Sequence, residues 1–291
     1  MLSGTWLGVI SIATLRSRMV GSAARLLQKG LIIQDRILNL TGIHNFRDYG
    51  GYAARGGHLR TQHLWRSGQH VRAVPQDLEL VHRLRIGTVI DLRGDTERAA
   101  FPCVRHEDFA GAVLFHPGET SAVRGAAPAD TAAEVRTAED AHRAMMATYG
   151  TLPFGLVLTG TLRLYVQTLA TSDAPSLLHC LAGKDRTGFA VAVVHRLMGV
   201  HPDDIATDYT LTNVAGDPEA RIAAAADRVR AALGPEMEDA AVRVFMSVAP
   251  EFLDHAFDAL ERRHGSVEAY AADVLGADAA TVAAIAERLI V

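Results

Sequence analysis

The chain has 291 residues, 49% apolar and 21% charged, enough apolar material for one sizeable core. Its net charge of −4 and pI near 6.3 leave no basic excess, so neither broad nucleic-acid binding nor attraction to an anionic membrane has an electrostatic footprint. Its two cysteines, Cys103 and Cys180, stand outside any CxxC or zinc-type cluster, which argues against a disulfide framework and a structural zinc site and for a reducing, cytoplasmic compartment.

Residues 1–36 read as an N-terminal extension. Residues 2–15 lack charge but are too short for a membrane span, and no basic residue precedes the apolar run, which argues against a conventional signal and against stable membrane insertion. Secretion by a non-conventional route stays open. From residue 37 to residue 291 short apolar runs alternate with amphipathic stretches, which predicts one α/β domain on a central, mostly parallel sheet flanked by helices. Strands are expected at 64–66, 88–92, 112–116 and 176–180. A helix is expected over 76–85, and Leu158, Leu162, Tyr165 and Leu169 form a second helical stripe. Residues 118–134, rich in Ala, Gly, Pro and Thr, read as a mobile surface loop. The C-terminal third reads as helical over 203–213, 218–233, 250–263, 267–274 and 279–289. Within it, the Ala-rich region 218–250 is expected either to form a lid over the site or to pack permanently on the sheet.

The chemistry is concentrated in Leu177-Leu178-His179-Cys180-Leu181-Ala182-Gly183-Lys184-Asp185-Arg186-Thr187-Gly188, a strand, a tight loop and a helix start. A loop running into a helix N-terminus offers several N–H groups and the positive end of the helix dipole to a phosphate dianion. The same field favours a thiolate at Cys180. Arg186 can bind two phosphate oxygens in its planar fork, which lysine cannot do as well.

Cys180-x5-Arg186, with His179 before it and Thr187-Gly188 after it, resembles the phosphate-binding loop of cysteine-based phosphatases. The whole run is similar to that of the bacterial atypical tyrosine/serine phosphatase family. The blocks Asn45-Phe46-Arg47-Asp48-Tyr49-Gly50-Gly51-Tyr52, Leu64-Trp65-Arg66-Ser67-Gly68, Ile90-Asp91-Leu92-Arg93, Asp208-Tyr209 and Gly265-Ser266-Val267-Glu268-Ala269-Tyr270 extend the resemblance over roughly residues 37–290.

The resemblance implies a phosphatase without cofactor or metal, acting on phosphorylated protein or phosphoinositide, with phosphotyrosine the first expectation. Cys180 would attack phosphorus while Arg186 and the loop from Leu181, Ala182, Gly183 and Lys184 to Thr187 hold the phosphate oxygens. The Thr187 hydroxyl would bond the leaving thiolate, and His179 would orient the cysteine through the backbone. Asp185 is the first candidate for general acid and Glu119, in His116-Pro117-Gly118-Glu119, the second. Lys184 is expected to contact substrate at the rim or to pair with a carboxylate. Arg47, Asp48, Arg66, Ser67, Asp91 and Arg93 would form a buried polar network or line the site. Cys103 reads as a packing residue rather than a redox partner. Two other classes remain: a non-catalytic phosphate-recognition module, and a thiol-based sulfurtransferase.

Overall fold

The computed structural model describes residues 36–120 and 135–291, and Leu38–Val291 form one compact unit. The strands are β1 (Arg47–Asp48), β2 (Ala53–Ala54), β3 (Gly57–His58), β4 (Leu64–Ser67), β5 (Thr88–Asp91), β6 (Ala112–Leu114) and β7 (Ser176–His179). Five of them make the central sheet in the order β1-β4-β7-β5-β6, parallel except for the antiparallel edge β1, while β2 and β3 pair separately. Strand β7, buried along its whole length, is in the middle. Leu64 and Thr88 both stand opposite Ser176, so β4, β5 and β7 end level at Ser67, Asp91 and His179.

A strand buried on both faces needs apolar side chains of both parities. Leu177 packs with Trp65, Val89, Ile86, Ile43 and Phe46 on one face. Leu178 and Cys180 belong to the larger core on the other. The alternation thus puts Cys180 on the face covered by most of the helices.

The helices are α1 (Pro75–Arg83), α2 (Asp95–Ala100), α3 (Ala138–Thr151), α4 (Leu156–Thr171), α5 (Asp185–Leu197), α6 (Pro202–Thr210), α7 (Pro218–Leu233), α8 (Asp239–Met246), α9 (Pro250–His264), α10 (Val267–Tyr270) and α11 (Ala279–Leu289). Helix α5, which follows the loop, is buried almost all round, with Phe189 to Val194 inside, as expected of a central helix. The α4 stripe is confirmed by the burial of Leu158, Leu162, Tyr165 and Leu169.

The differences from the sequence reading have local causes. The helix expected over 76–85 ends at Arg83, because Arg85 takes a left-handed φ of 52°. Helix α2 has six residues and is fixed by Glu97 accepting from the Gly94 N–H, a signal with no hydrophobic period. The run at 267–274 divides into α10 and a π-helical turn, Ala271–Leu275, closed by left-handed Gly276. Region 218–250 contains α7 and α8. Only Ala225 of α7 is fully buried, whereas Ala241, Val242 and Phe245 anchor α8. Most of the extension read at 1–36 and of the loop read at 118–134 lies outside the described residues. Among the described residues no single helix is long and apolar enough to cross a membrane.

Candidate active site

Cys180 is buried where β7 ends, and its loop turns directly into α5. The turn depends on Gly183, whose φ is +66° and where a Cβ would lie 2.4 Å from the Ser67 carbonyl carbon. Both the dihedral and the close approach require glycine. Gly188 in the first turn of α5 is constrained too, since a Cβ there would stand 2.8 Å from the Tyr209 ring.

The loop rests on a buried polar platform. The Gly183 carbonyl accepts from Asn45 Nδ2 at 2.7 Å and from Arg66 Nη2 at 3.0 Å. Asn45 itself is left-handed, φ 60°, a conformation asparagine tolerates better than most residues. Arg66 pairs with Asp208, and Arg47 binds the same carboxylate at 3.3 Å and the Asp208 carbonyl at 2.9 Å. Burial would raise the Asp208 pKa, but Arg47 and Arg66 hold it down at about 2. Burial and the neighbouring Arg66 lower Arg47 to about 10. Arg47 and Arg66 are therefore part of the support rather than of the loop surface. Asp48 accepts from the Gly50 and Gln62 N–H groups, and Asp91 pairs with Arg93 at 2.7 Å. Ser67 Oγ donates to the Gly68 carbonyl.

Arg186 is fixed by Glu97, which sequence reasoning did not single out. Its Nη2 donates to Glu97 Oε1 at 2.7 Å and its Nη1 to the Leu92 carbonyl at 3.1 Å. Burial opposes the Arg186 charge, but the Glu97 hydrogen bond and the field of Cys180 raise its pKa above the ordinary arginine value. Thr120 Oγ1 donates to the same Glu97 carboxylate at 3.0 Å.

His179 is fully buried and donates through Nδ1 to the Cys180 carbonyl at 3.3 Å, the backbone contact expected of an orienting residue. Burial, more than any charge, pushes its pKa down to about 4, so the ring is neutral at working pH.

Asp185 opens α5 and is about one-third exposed. Tyr149 OH donates to its Oδ1 at 2.7 Å, and Lys184 Nζ lies 3.2 Å from the same oxygen. Tyr149 in turn lies 2.6 Å, oxygen to oxygen, from Tyr209 OH. Burial first and the Asp185 charge second raise the Tyr149 pKa well above the usual value, so it serves as a proton donor in this contact. Sequence reasoning missed Tyr149 as well.

The described chain matches the model of the tyrosine phosphatase family over residues 38–291. The chain belongs to that family. A Cupriavidus necator protein, provisionally named a tyrosine-protein phosphatase, is 30% identical over 244 residues, covering 82% of this chain and 84% of its own length. The Mycobacterium tuberculosis triple specificity protein phosphatase PtpB is 30% identical over 200 residues, covering 61% of this chain and 69% of its own. The solved structure of P. aeruginosa TpbA covers 68% of this chain and 95% of its own, but at 17% identity and a TM-score of 0.28 it has no bearing on the fold.

The structure also places the other residues of this tyrosine phosphatase that the sequence singled out. Lys184 is buried, and its ammonium donates to the Ser247 carbonyl at 3.1 Å and to the Phe245 carbonyl besides facing Asp185. These three partners use its three donors. Lys184 thus ties the loop to the end of α8 and pairs with the Asp185 carboxylate, the second of the two roles expected of it. Leu181 is exposed, Ala182 half-buried. The Thr187 hydroxyl is buried with no hydrogen-bond partner among the described residues, the expected bond to Cys180 included. Glu119 accepts from the Thr96 N–H at 3.0 Å and hydroxyl at 2.7 Å, capping α2. Both cysteines are free thiols, and Cys103 Sγ accepts from the His70 N–H at 3.3 Å. One group with metal-ligand chemistry among the described residues, His82, His106 and Asp108, has its ligand atoms within 4.8 Å of one another, away from this loop.

Proposed function

We propose that this tyrosine phosphatase hydrolyses protein phosphotyrosine through a covalent phosphocysteine at Cys180. The observation that carries the reading is the union of a buried cysteine, a glycine-dependent loop and a guanidinium held in place by Glu97, all at the N-terminus of one helix. In the first step Cys180 Sγ, as thiolate, forms a bond to phosphorus while the bond to the tyrosine oxygen breaks. Asp185 supplies the proton that the departing phenolate takes up. Arg186 and the loop N–H groups carry the charge on the equatorial oxygens. In the second step water loses its proton to the Asp185 carboxylate and attacks phosphorus, the S–P bond breaks, and inorganic phosphate and thiolate remain. The buried Thr187 hydroxyl, otherwise unpartnered, is suited to bond that thiolate as it leaves.

Activity on phosphoserine, phosphothreonine or phosphoinositides is a secondary expectation, supported by the 30% identity to the triple-specificity phosphatase PtpB. Asp185 is preferred to Glu119 as acid because Glu119 is committed to Thr96. The test is phosphate release from a phosphotyrosine peptide by wild type and Cys180→Ser. Loss of release in the variant supports the reading, and wild-type release by the variant overturns it.

A further inference from the structure

A cavity of about 600 Å³ lies between α1, the start of β5 and residues 105–111. It sits on the face of the sheet opposite Cys180, since Leu177 and Val89, which line it, belong to the smaller core. Its floor is apolar: Val81, Ile86, Val89 and Leu177 contribute. Its volume falls within the range of small-molecule sites, which combine an apolar lining with a few placed polar groups.

The polar group here is Arg105. Its guanidinium is half-buried, lies 5.4 Å from the centre of the Phe109 ring, and makes no ion pair or hydrogen bond among the described residues. Burial lowers its pKa, as for a cation deprived of water without a matching anion. Arg83 and Arg85 also line the cavity, and among the described residues Asp108 is the sole carboxylate lining it. That balance favours an anion over a divalent cation, although His82, His106 and Asp108 could in composition hold a metal.

We propose that this cavity is a second binding site, for a small amphipathic monoanion: an apolar body on Val81, Ile86, Val89 and Leu177, and an oxyacid head on Arg105. The site reaches the back of the catalytic loop. His70 lines it and stacks on His179 with ring centres 5.6 Å apart, and His179 bonds the Cys180 carbonyl. A bound anion is thereby placed to bias the ring that orients Cys180.

The test is calorimetric titration of decanoate into the full-length protein with its catalytic loop saturated by orthovanadate, alongside decanol, the uncharged counterpart. The expected result is one site per chain, with decanol weaker by about tenfold or more. Arg105→Gln removes that difference, and Val81→Trp, which fills the floor, abolishes binding with the thermal midpoint kept. If Arg105→Gln does not fold, the comparison of decanoate with decanol on wild type still decides. No binding, equal binding of the two probes, or decanoate binding that survives both substitutions overturns the proposal.

Discussion

The Glu97 carboxylate meets the Arg186 guanidinium at 2.7 Å, joining α2 to the loop helix across 89 positions of sequence. The contact leaves Arg186 one fixed orientation before substrate arrives, which is the condition for stabilising charge that appears only during transfer. Glu97→Gln keeps the volume and removes the charge. Its kcat/KM is expected to fall roughly tenfold or more, with orthovanadate affinity falling in parallel. Steady-state kinetics and vanadate inhibition check this, and unchanged vanadate affinity contradicts it.

Tyr149 and Asp185 make a second such pair. Tyr149→Phe removes the hydroxyl that orients the acid and leaves Tyr209 OH without that partner. The loss of kcat/KM is expected to be larger on a phosphotyrosine peptide than on p-nitrophenyl phosphate, whose leaving group needs little proton help. The thermal cost is about 1 kcal/mol, from the broken phenol pair. Equal losses on both substrates make Tyr149 a purely structural residue.

Asp208 is the carboxylate partner of two buried arginines at once. Asp208→Ala leaves both uncompensated and is expected to destabilise the fold by about 3–5 kcal/mol. Urea titration reads this directly, and a change under about 1 kcal/mol would show that the platform is not structural.

Acid is expected to weaken the fold in two windows. His70 and His179 are kept neutral by burial, well below 6.5 and at about 4, while the unfolded chain takes up their protons near 6.5. Their contribution is complete above 6.5 and is lost as pH falls toward 4. Asp208, lowered from 3.8 to about 2, adds a further loss as pH falls through that interval. Urea midpoints between pH 7 and 2 measure both. The loss in the upper window is reduced in His70→Gln, and a flat profile from 6.5 to 4 contradicts the assignment to the histidines.

The strand, loop and helix around Cys180 were legible in the sequence because all of their determinants are contiguous: an apolar run, a glycine for a left-handed turn, and an arginine at fixed spacing. The central sheet was legible for a similar reason, β5, β6 and β7 each being built on a short apolar run. What was not legible is long-range pairing. Arg47, Arg66 and Asp208 stand in the quoted blocks, but nothing in a linear pattern says that two arginines share one carboxylate 142 to 161 positions away. Glu97 lies in a helix of six residues set by capping rather than periodicity. Tyr149 lies on α3, which the sequence reading did not mark as a helix at all. The Lys184 pairing with a carboxylate was among the expectations, but its bonds to the Phe245 and Ser247 carbonyls were not legible, because backbone carbonyls leave no mark on side-chain pattern.

The central claim is the covalent intermediate. Rapid acid quench of wild type with a 32P-labelled phosphotyrosine peptide, followed by proteolysis and mapping, tests it most directly. The account predicts label on the peptide containing Cys180 in wild type, and accumulation of that label in Asp185→Asn supplied with 32P-labelled p-nitrophenyl phosphate, whose leaving group needs little proton help while the second step lacks its base. Full turnover with no protein-bound label in either enzyme, or label on a residue other than Cys180, would contradict it.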